Sequence, residues 1–257
     1  MSLHSAMAAA ATLVSLAFAL STLDRWLTGH KRHEAVWTVS LTMFSVASAG
    51  LWAGASLGWG EWSFKVFYLF GAILNVPYLA LGTVYLLFGV RTGDRWAAVV
   101  SILGAFVAGV VVAAPLVAPV GADALPRGAE VFGPGPRIAA AVGSGVAALV
   151  IFLGAAVSAV RLVRARRQGA RPGTARGLSP GRLAAANVLI AAGTLVLSAG
   201  GLLNSVLDEM DAFAVSLVMG ITVIFAGFLL TETGRRNPAT RAWYPPPSVA
   251  RQLERAA

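Results

Sequence analysis

Long apolar runs alternate with short polar segments along the whole chain. Seven runs reach the length of about 20 mainly apolar residues that a bilayer-spanning helix needs. They are 3–24, 35–58, 63–90, 96–119, 137–162, 182–206 and 212–231. The runs are too long and too continuously apolar for barrel strands, so the pattern predicts an all-α polytopic membrane protein with a seven-helix bundle. A transmembrane domain over 1–233 and a flexible cytoplasmic tail over 234–257 are expected.

Composition agrees with lipid as the surrounding medium. Of the residues, 57% are hydrophobic and only 12% are charged, whereas a soluble domain has roughly 25% charged residues. The chain has no cysteine, which excludes disulfides, thiol nucleophiles and thiolate metal sites. The first apolar run is longer than a signal-peptide core, so we expect it to be retained as a membrane helix.

Basic residues concentrate in alternate loops, which predicts the orientation. Of the 20 Lys and Arg residues, 17 lie in one set of loops and in the tail. The excess of Lys and Arg marks the cytoplasmic side, so the N-terminus is expected outside and the C-terminus in the cytoplasm. The basic charge is then a topology signal that argues against nucleic-acid binding. Arginine outnumbers lysine 18 to 2, which fits a GC-rich genome, and a bacterial cytoplasmic membrane is the expected location.

The third predicted helix contains the stretch LFGAILNVPYLALG, from Leu69 to Gly82. Polar and small residues recur there at steps of 3 and 4, which places them on one helical face. This stripe consists of Tyr68, Gly71, Asn75, Tyr78, Gly82 and Tyr85. Pro77 lies near the middle of the span and leaves the carbonyl of Ile73 without its helical donor. A kink is expected, with Asn75, a hydroxyl from another helix or a water as the replacement donor.

Two interpretations of this stripe remain open. One is a kinked helix with a satisfied Asn in a tightly packed interior, which is favoured because small-polar stripes recur on the first, second and sixth spans. The other is a ligand pocket at the kink. Its candidate ligand-binding residues are Tyr68, Asn75, Pro77, Tyr78, Trp52, Asn187, Thr194 and Ser198.

The second span also carries glycines at four-residue spacing, Gly50, Gly54 and Gly58. Such glycines allow another backbone to approach closely. The neighbour is either another helix of this chain or a second protomer of a homo-oligomer. Tryptophans near the span ends, Trp26, Trp37, Trp96, Trp59 and Trp62, are expected to act as interfacial anchors.

A charged cluster is predicted at the outer rim of the bundle. Glu61 and Lys65 are four residues apart and can pair on one helical face. The cluster is completed by residues near the last predicted turn: Asn204, Asp208, Glu209 and Asp211. It is a solvated turn with an ion pair, an outward mouth that attracts a cation, or a divalent-ion site, although the turn alone does not show the six to eight oxygens that calcium needs.

Missing residue types exclude several classes of cofactor. No Asp, Glu, Lys, Arg or His lies in the central part of any span, so axial haem ligands and an intramembrane proton carrier are absent from the sequence there. The layout is similar to that of microbial rhodopsins, but 212–231 contains no Lys to form a retinal Schiff base. Neither a cofactor nor a metal is predicted.

Three functions remain in competition. The first is a non-enzymatic module that binds or senses an apolar or amphipathic small molecule, or supports a membrane complex. The second is a transporter of a small neutral or lipid-like solute, suggested by the interrupted third helix and a weak repeat 150 residues apart, Ser48-Ala49-Gly50 and Ser198-Ala199-Gly200. The third is an enzyme acting at the outer leaflet through the rim carboxylates. The expected partners are the bilayer, a small-molecule ligand and a second protomer.

Overall fold

The structure is a computed structural model of the 257-residue chain, and it describes residues 3–120, 126–167, 185, 188–197, 199–200 and 210–232. Within these ranges the chain consists of helices and short connections, with one isolated antiparallel bridge between Leu116 and Phe132. Six of the described helices are long and apolar enough to cross a membrane. The prediction of an all-helical chain with membrane-spanning helices is confirmed to that extent.

Eight helices follow one another along the described chain. They are α1 Leu3–Gly29, α2 Arg32–Leu57, α3 Glu61–Phe88, α4 Val90–Ala113, α5 Gly128–Val131, α6 Pro134–Arg167, α7 Val188–Leu197 and α8 Met210–Glu232. All except α5 and α7 are candidate spans. The predicted span 182–206 contains the short helix α7, and most of its other residues, like the tail 234–257, lie outside the described residues.

The fourth predicted span, 96–119, is wrong in both bounds, because α4 runs from Val90 to Ala113. A single residue, Gly89, joins α3 to α4 with a φ of +83°, a left-handed conformation that glycine adopts without a steric penalty. The polar residues after it therefore begin α4 instead of forming a loop. At the other end Pro115 disfavours helical geometry in the preceding Ala114, which is extended.

The helices pack around α2 and α3. Helix α2 contacts α1 and α3, α3 also contacts α4 and α6, and α8 packs against α1. The apolar stretches of α1, α2, α3 and α8 are 33% to 39% buried, compared with 6% in α4 and 11% in α6. Since these two helices leave most of their apolar side chains exposed, their outer faces are suited to contact with acyl chains in a membrane.

Helices α1 and α2 are joined by a line of hydroxyl pairs, which we call the hydroxyl seam. The oxygen–oxygen distances are 2.6 Å for Ser5 and Ser56, 2.9 Å for Ser15 and Ser45, and 3.0 Å for Thr22 and Thr38. The small-polar stripes predicted on the first two helices therefore face each other. Ser and Thr let two helices approach closely and hydrogen-bond across the contact.

Candidate functional site

The third helix changes its geometry in the stretch that the sequence singles out. Residues Tyr68–Leu74 are π-helical, and the Asn75 N–H donates to the carbonyl of Phe70, five residues earlier. Pro77 follows, without an N–H of its own and with a ring that crowds the preceding turn. The irregular segment therefore lies on the N-terminal side of the proline. Single-turn π-segments are frequent at functional sites.

Side chains from two neighbouring helices donate to carbonyls around this segment. Ser40 of α2 donates to the backbone carbonyl of Asn75 at 3.0 Å and to its side-chain Oδ1 at 2.7 Å. Ser144 of α6 donates to the carbonyl of Ala72 at 2.5 Å. Hydrocarbon offers no donor to a carbonyl outside the regular helical ladder. We call 68–77, with Ser40 and Ser144, the α3 break.

Glycines bring the neighbouring helices close to α3 around the break. A Cβ at Gly143 of α6 would lie 3.9 Å from the carbonyl oxygen of Ile73 and 4.0 Å from Cγ of Pro77. Farther along, a Cβ at Gly82 would overlap the indole of Trp37, whose Nε1 donates to the carbonyl of Leu79 at 3.3 Å. The indole of Trp37 therefore contacts α3, and its role as an interfacial anchor stays a prediction.

The predicted stripe on α3 divides between two sides of the helix. Its small residues and Asn75 contact α2, whereas its tyrosines contact α4 and the connection before α6. Tyr68 packs on Phe132 with ring centroids 5.0 Å apart, Tyr78 lies 3.3 Å from Ser101 Oγ, and Tyr85 donates to Asp94 Oδ1 at 2.8 Å. Asn75, Tyr78, Gly82 and Tyr85 all follow the π-segment in regular helix, so the division reflects the width of the stripe, which α2 contacts on one side and α4 on the other.

The other candidate ligand-binding residues lie apart from the break. Trp52 is 42% exposed on α2, and Thr194 of α7 donates to the carbonyl of Ile190 in its own helix at 2.8 Å. Asn187 and Ser198 lie outside the described residues. The structure therefore brings Asn75 and Pro77 together with Ser40 and Ser144, two serines that were not among the predicted site residues.

At the predicted outer rim, Glu61 and Lys65 form the expected ion pair, with Nζ and Oε1 2.8 Å apart. Lys65 is buried, in contrast to a solvated pair, and its Nζ also donates to the carbonyl of Val112 at 2.9 Å. Asp211 lies 3.1 Å from His4 Nδ1. Asn204, Asp208 and Glu209 lie outside the described residues, so their place in the cluster stays a prediction.

The glycines of α2 make close contacts within the chain. A Cβ at Gly50 would lie 3.6 Å from Cβ of Phe67, and one at Gly54 would overlap the ring of Trp59. Gly58 ends the helix with a φ of +89°. Trp59 is buried and is not the lipid anchor expected from its position. Association of two protomers through these glycines stays a prediction.

Sequence reasoning missed a buried charge pair at the end of the bundle that carries the α1–α2 turn. Glu34 is 1% exposed, and its Oε2 lies 2.7 Å from Arg25 Nε. Arg25 Nη2 donates to the other carboxylate oxygen at 2.8 Å, and its guanidinium lies 4.4 Å from the ring centroid of Phe228 in α8. Opposite charges on either side of a short turn were the available signal.

Among the described residues, no group of three or more His, Asp or Glu side chains is placed to hold a metal ion. No protein-family model, curated protein or solved structure matches the chain. The fold and its contacts define a class, a helical protein suited to a membrane whose third helix is interrupted and held by its neighbours.

Proposed function

We propose that the chain is a non-enzymatic integral membrane protein that binds an apolar or amphipathic small molecule at the α3 break. The observation that supports the proposal is that two backbone carbonyls beside the π-segment, of Ala72 and Asn75, accept hydrogen bonds from side-chain hydroxyls of other helices. A hydroxyl can rotate away from its acceptor and leave it to a ligand donor. A regular helical hydrogen bond does not offer that exchange.

This chemistry restricts the class of ligand. The ligand needs an apolar body, because α3 is largely apolar in this region, and a hydroxyl or amide donor for the carbonyl of Ala72 or Asn75. The Oδ1 atom of Asn75 adds a further acceptor. A hydrogen bond made in the absence of water would orient the ligand, while its apolar surface would supply most of the binding free energy.

Native mass spectrometry of the protein in mild detergent tests the proposal. Wild type is expected to carry a defined extra mass that Asn75→Leu loses, because leucine removes the Oδ1 acceptor and fills the space beside Ser40. Ser45→Ala, in the hydroxyl seam, is the matched control and should keep the extra mass. A bare chain for wild type, or equal loss in the control, would contradict binding at the break.

We further propose seven spans in a bacterial cytoplasmic membrane, with the N-terminus outside. The support is the seventh apolar run, 182–206, and the concentration of basic residues on one side. Because the chain has no cysteine, single cysteines can be labelled with a membrane-impermeant maleimide. Seven spans place Thr28→Cys and Ala257→Cys on the same side and Gly60→Cys on the other. With six spans, Thr28→Cys and Ala257→Cys would lie on opposite sides of the membrane.

Transport of a small neutral or lipid-like solute is the second candidate. Interrupted helices at membrane depth are a feature of transporter binding sites, and α3 has such an interruption. Flux of labelled solute into proteoliposomes separates transport from binding. Uptake that depends on the protein and is reduced by Asn75→Leu would favour the transporter over the binding module.

A further inference from the structure

An open groove lies along the first turns of α6. It has a volume of about 400 Å³ and is lined by Pro134, Arg137, Ile138 and Ala141. Arg137 is exposed there, and within the described residues no carboxylate forms an ion pair with it. An arginine with apolar neighbours at the end of a membrane span is complementary to an anionic headgroup above acyl chains.

An apolar track leads from this groove along α6. Ile138, Val142, Val146 and Leu149 follow one face at steps of 4, 4 and 3, and each is between 57% and 62% exposed. At a rise of 1.5 Å per residue they extend over about 17 Å, roughly half the 30 Å hydrocarbon core of a bilayer. Gly145 lies beside the track, and a Cβ there would meet nothing within 4 Å.

The direction of α6 adds to the attraction for an anion. Arg137 is in the first turn of a 34-residue helix, where the helix dipole places a partial positive charge. Two of the first three residues, Pro134 and Pro136, have no N–H, so the guanidinium is the main donor at this point. Arg127, the other arginine between α4 and the first turn of α6, already pairs with Glu130.

We propose that the groove beside Arg137 binds one anionic phospholipid, with the phosphate at the guanidinium and an acyl chain along the track of Ile138, Val142, Val146 and Leu149. The site is separate from the α3 break. The acyl chain would lie on the face of α6 opposite Ser144, while Arg137, seven residues before Ser144, would reach the headgroup from the adjoining side of the helix end.

The test is native mass spectrometry of the full chain in mild detergent, with added phosphatidylglycerol or phosphatidylcholine of identical acyl chains. Wild type is expected to retain the anionic lipid about five- to tenfold more than the neutral one, a ratio typical of one interfacial arginine. Arg137→Gln should abolish this preference, and Arg137→Lys should restore most of it. Gly145→Leu should reduce binding of both lipids, because its side chain fills the track.

Two matched controls distinguish a specific lipid site from the general effect of removing a charge or adding a large side chain. Arg127→Gln removes a charge at the same end, and Gly109→Leu fills open space on α4; both should bind lipid like wild type. Equal retention of the two lipids by wild type would mean ordinary annular lipid and overturn the proposal. So would equal loss in Arg127→Gln and Arg137→Gln. A photoactivatable phosphatidylglycerol should crosslink within 134–149 of wild type, which gives a readout that needs no variant to fold.

Discussion

The hydroxyl seam and the α3 break use the same side chains, serine and threonine, for different purposes. In the seam, hydroxyls of α1 and α2 face one another, and several also donate to a carbonyl of their own helix, as Ser45 does to Leu41 and Thr22 to Ala19. At the break, Ser40 and Ser144 donate to backbone carbonyls of another helix. The seam joins two regular helices, whereas the break keeps an irregular one satisfied.

This difference predicts unequal sensitivity to substitution. In two of the three seam pairs, Ser15–Ser45 and Thr22–Thr38, a hydroxyl that loses its partner across the interface still has an acceptor within its own helix. A carbonyl at the break that loses its donor is left in an apolar environment, where an unsatisfied group costs the full desolvation penalty. Three substitutions, from the largest expected effect to the smallest, test how far the comparison holds.

Glu34→Gln should have the largest effect, because it breaks the charged pair that follows the last hydroxyl pair of the seam. Removing one partner of a buried ion pair costs about 3 kcal/mol or more in free energy of unfolding, and the loss leaves Arg25 without its carboxylate. Denaturant titration in detergent measures it. Arg32→Gln is the control: its pair with Asp94 is exposed, so the expected loss is below about 1 kcal/mol. Equal losses of unfolding free energy in the two variants would show that the buried pair stabilises the protein no more than the exposed pair.

Ser144→Ala should come next, with a loss of about 2 kcal/mol in the free energy of unfolding, since the carbonyl of Ala72 loses its donor. The same denaturant titration applies. Ser144→Thr keeps the hydroxyl and should restore most of the loss. A neutral alanine variant would mean that the π-segment satisfies itself without α6.

Ser45→Ala should have the smallest effect, about 0.6 kcal/mol, the typical value for a hydrogen bond between membrane helices. Ser15 still donates to the carbonyl of Thr12 in its own helix, so no buried group loses every partner. A loss as large as that of Ser144→Ala would remove the distinction between the seam and the break.

The sequence predicted the features that depend on periodicity. Runs of apolar residues gave the spans, and small residues at steps of 3 and 4 gave the faces of α1 and α2. The C-terminal end of α4 was readable from Pro115. The predicted span was nevertheless extended to residue 119, over the apolar residues that follow the proline. The i, i+4 pair of Glu61 and Lys65 was also predicted, since both partners lie on one helix.

The sequence did not predict contacts that depend on residues far along the chain. Ser144 reaches Ala72 from 72 positions away, and no local pattern indicates which serine turns toward α3. Tryptophans near span ends, such as Trp37 and Trp59, fit both a lipid interface and a buried contact. Glu34 is buried beside Arg25, on which Phe228 of α8 packs, and the sequence around the α1–α2 turn does not indicate that distant contact.

The one-residue connection at Gly89 has a consequence for how the chain enters a membrane. Because a single residue joins α3 to α4, the start of α4 is held at the bilayer surface where α3 ends, and we expect the two helices to insert as a hairpin. The two-residue turn between α1 and α2 imposes the same condition. Biogenesis of this half of the protein is therefore expected to proceed in helix pairs, and a longer linker at Gly89 would uncouple the second pair.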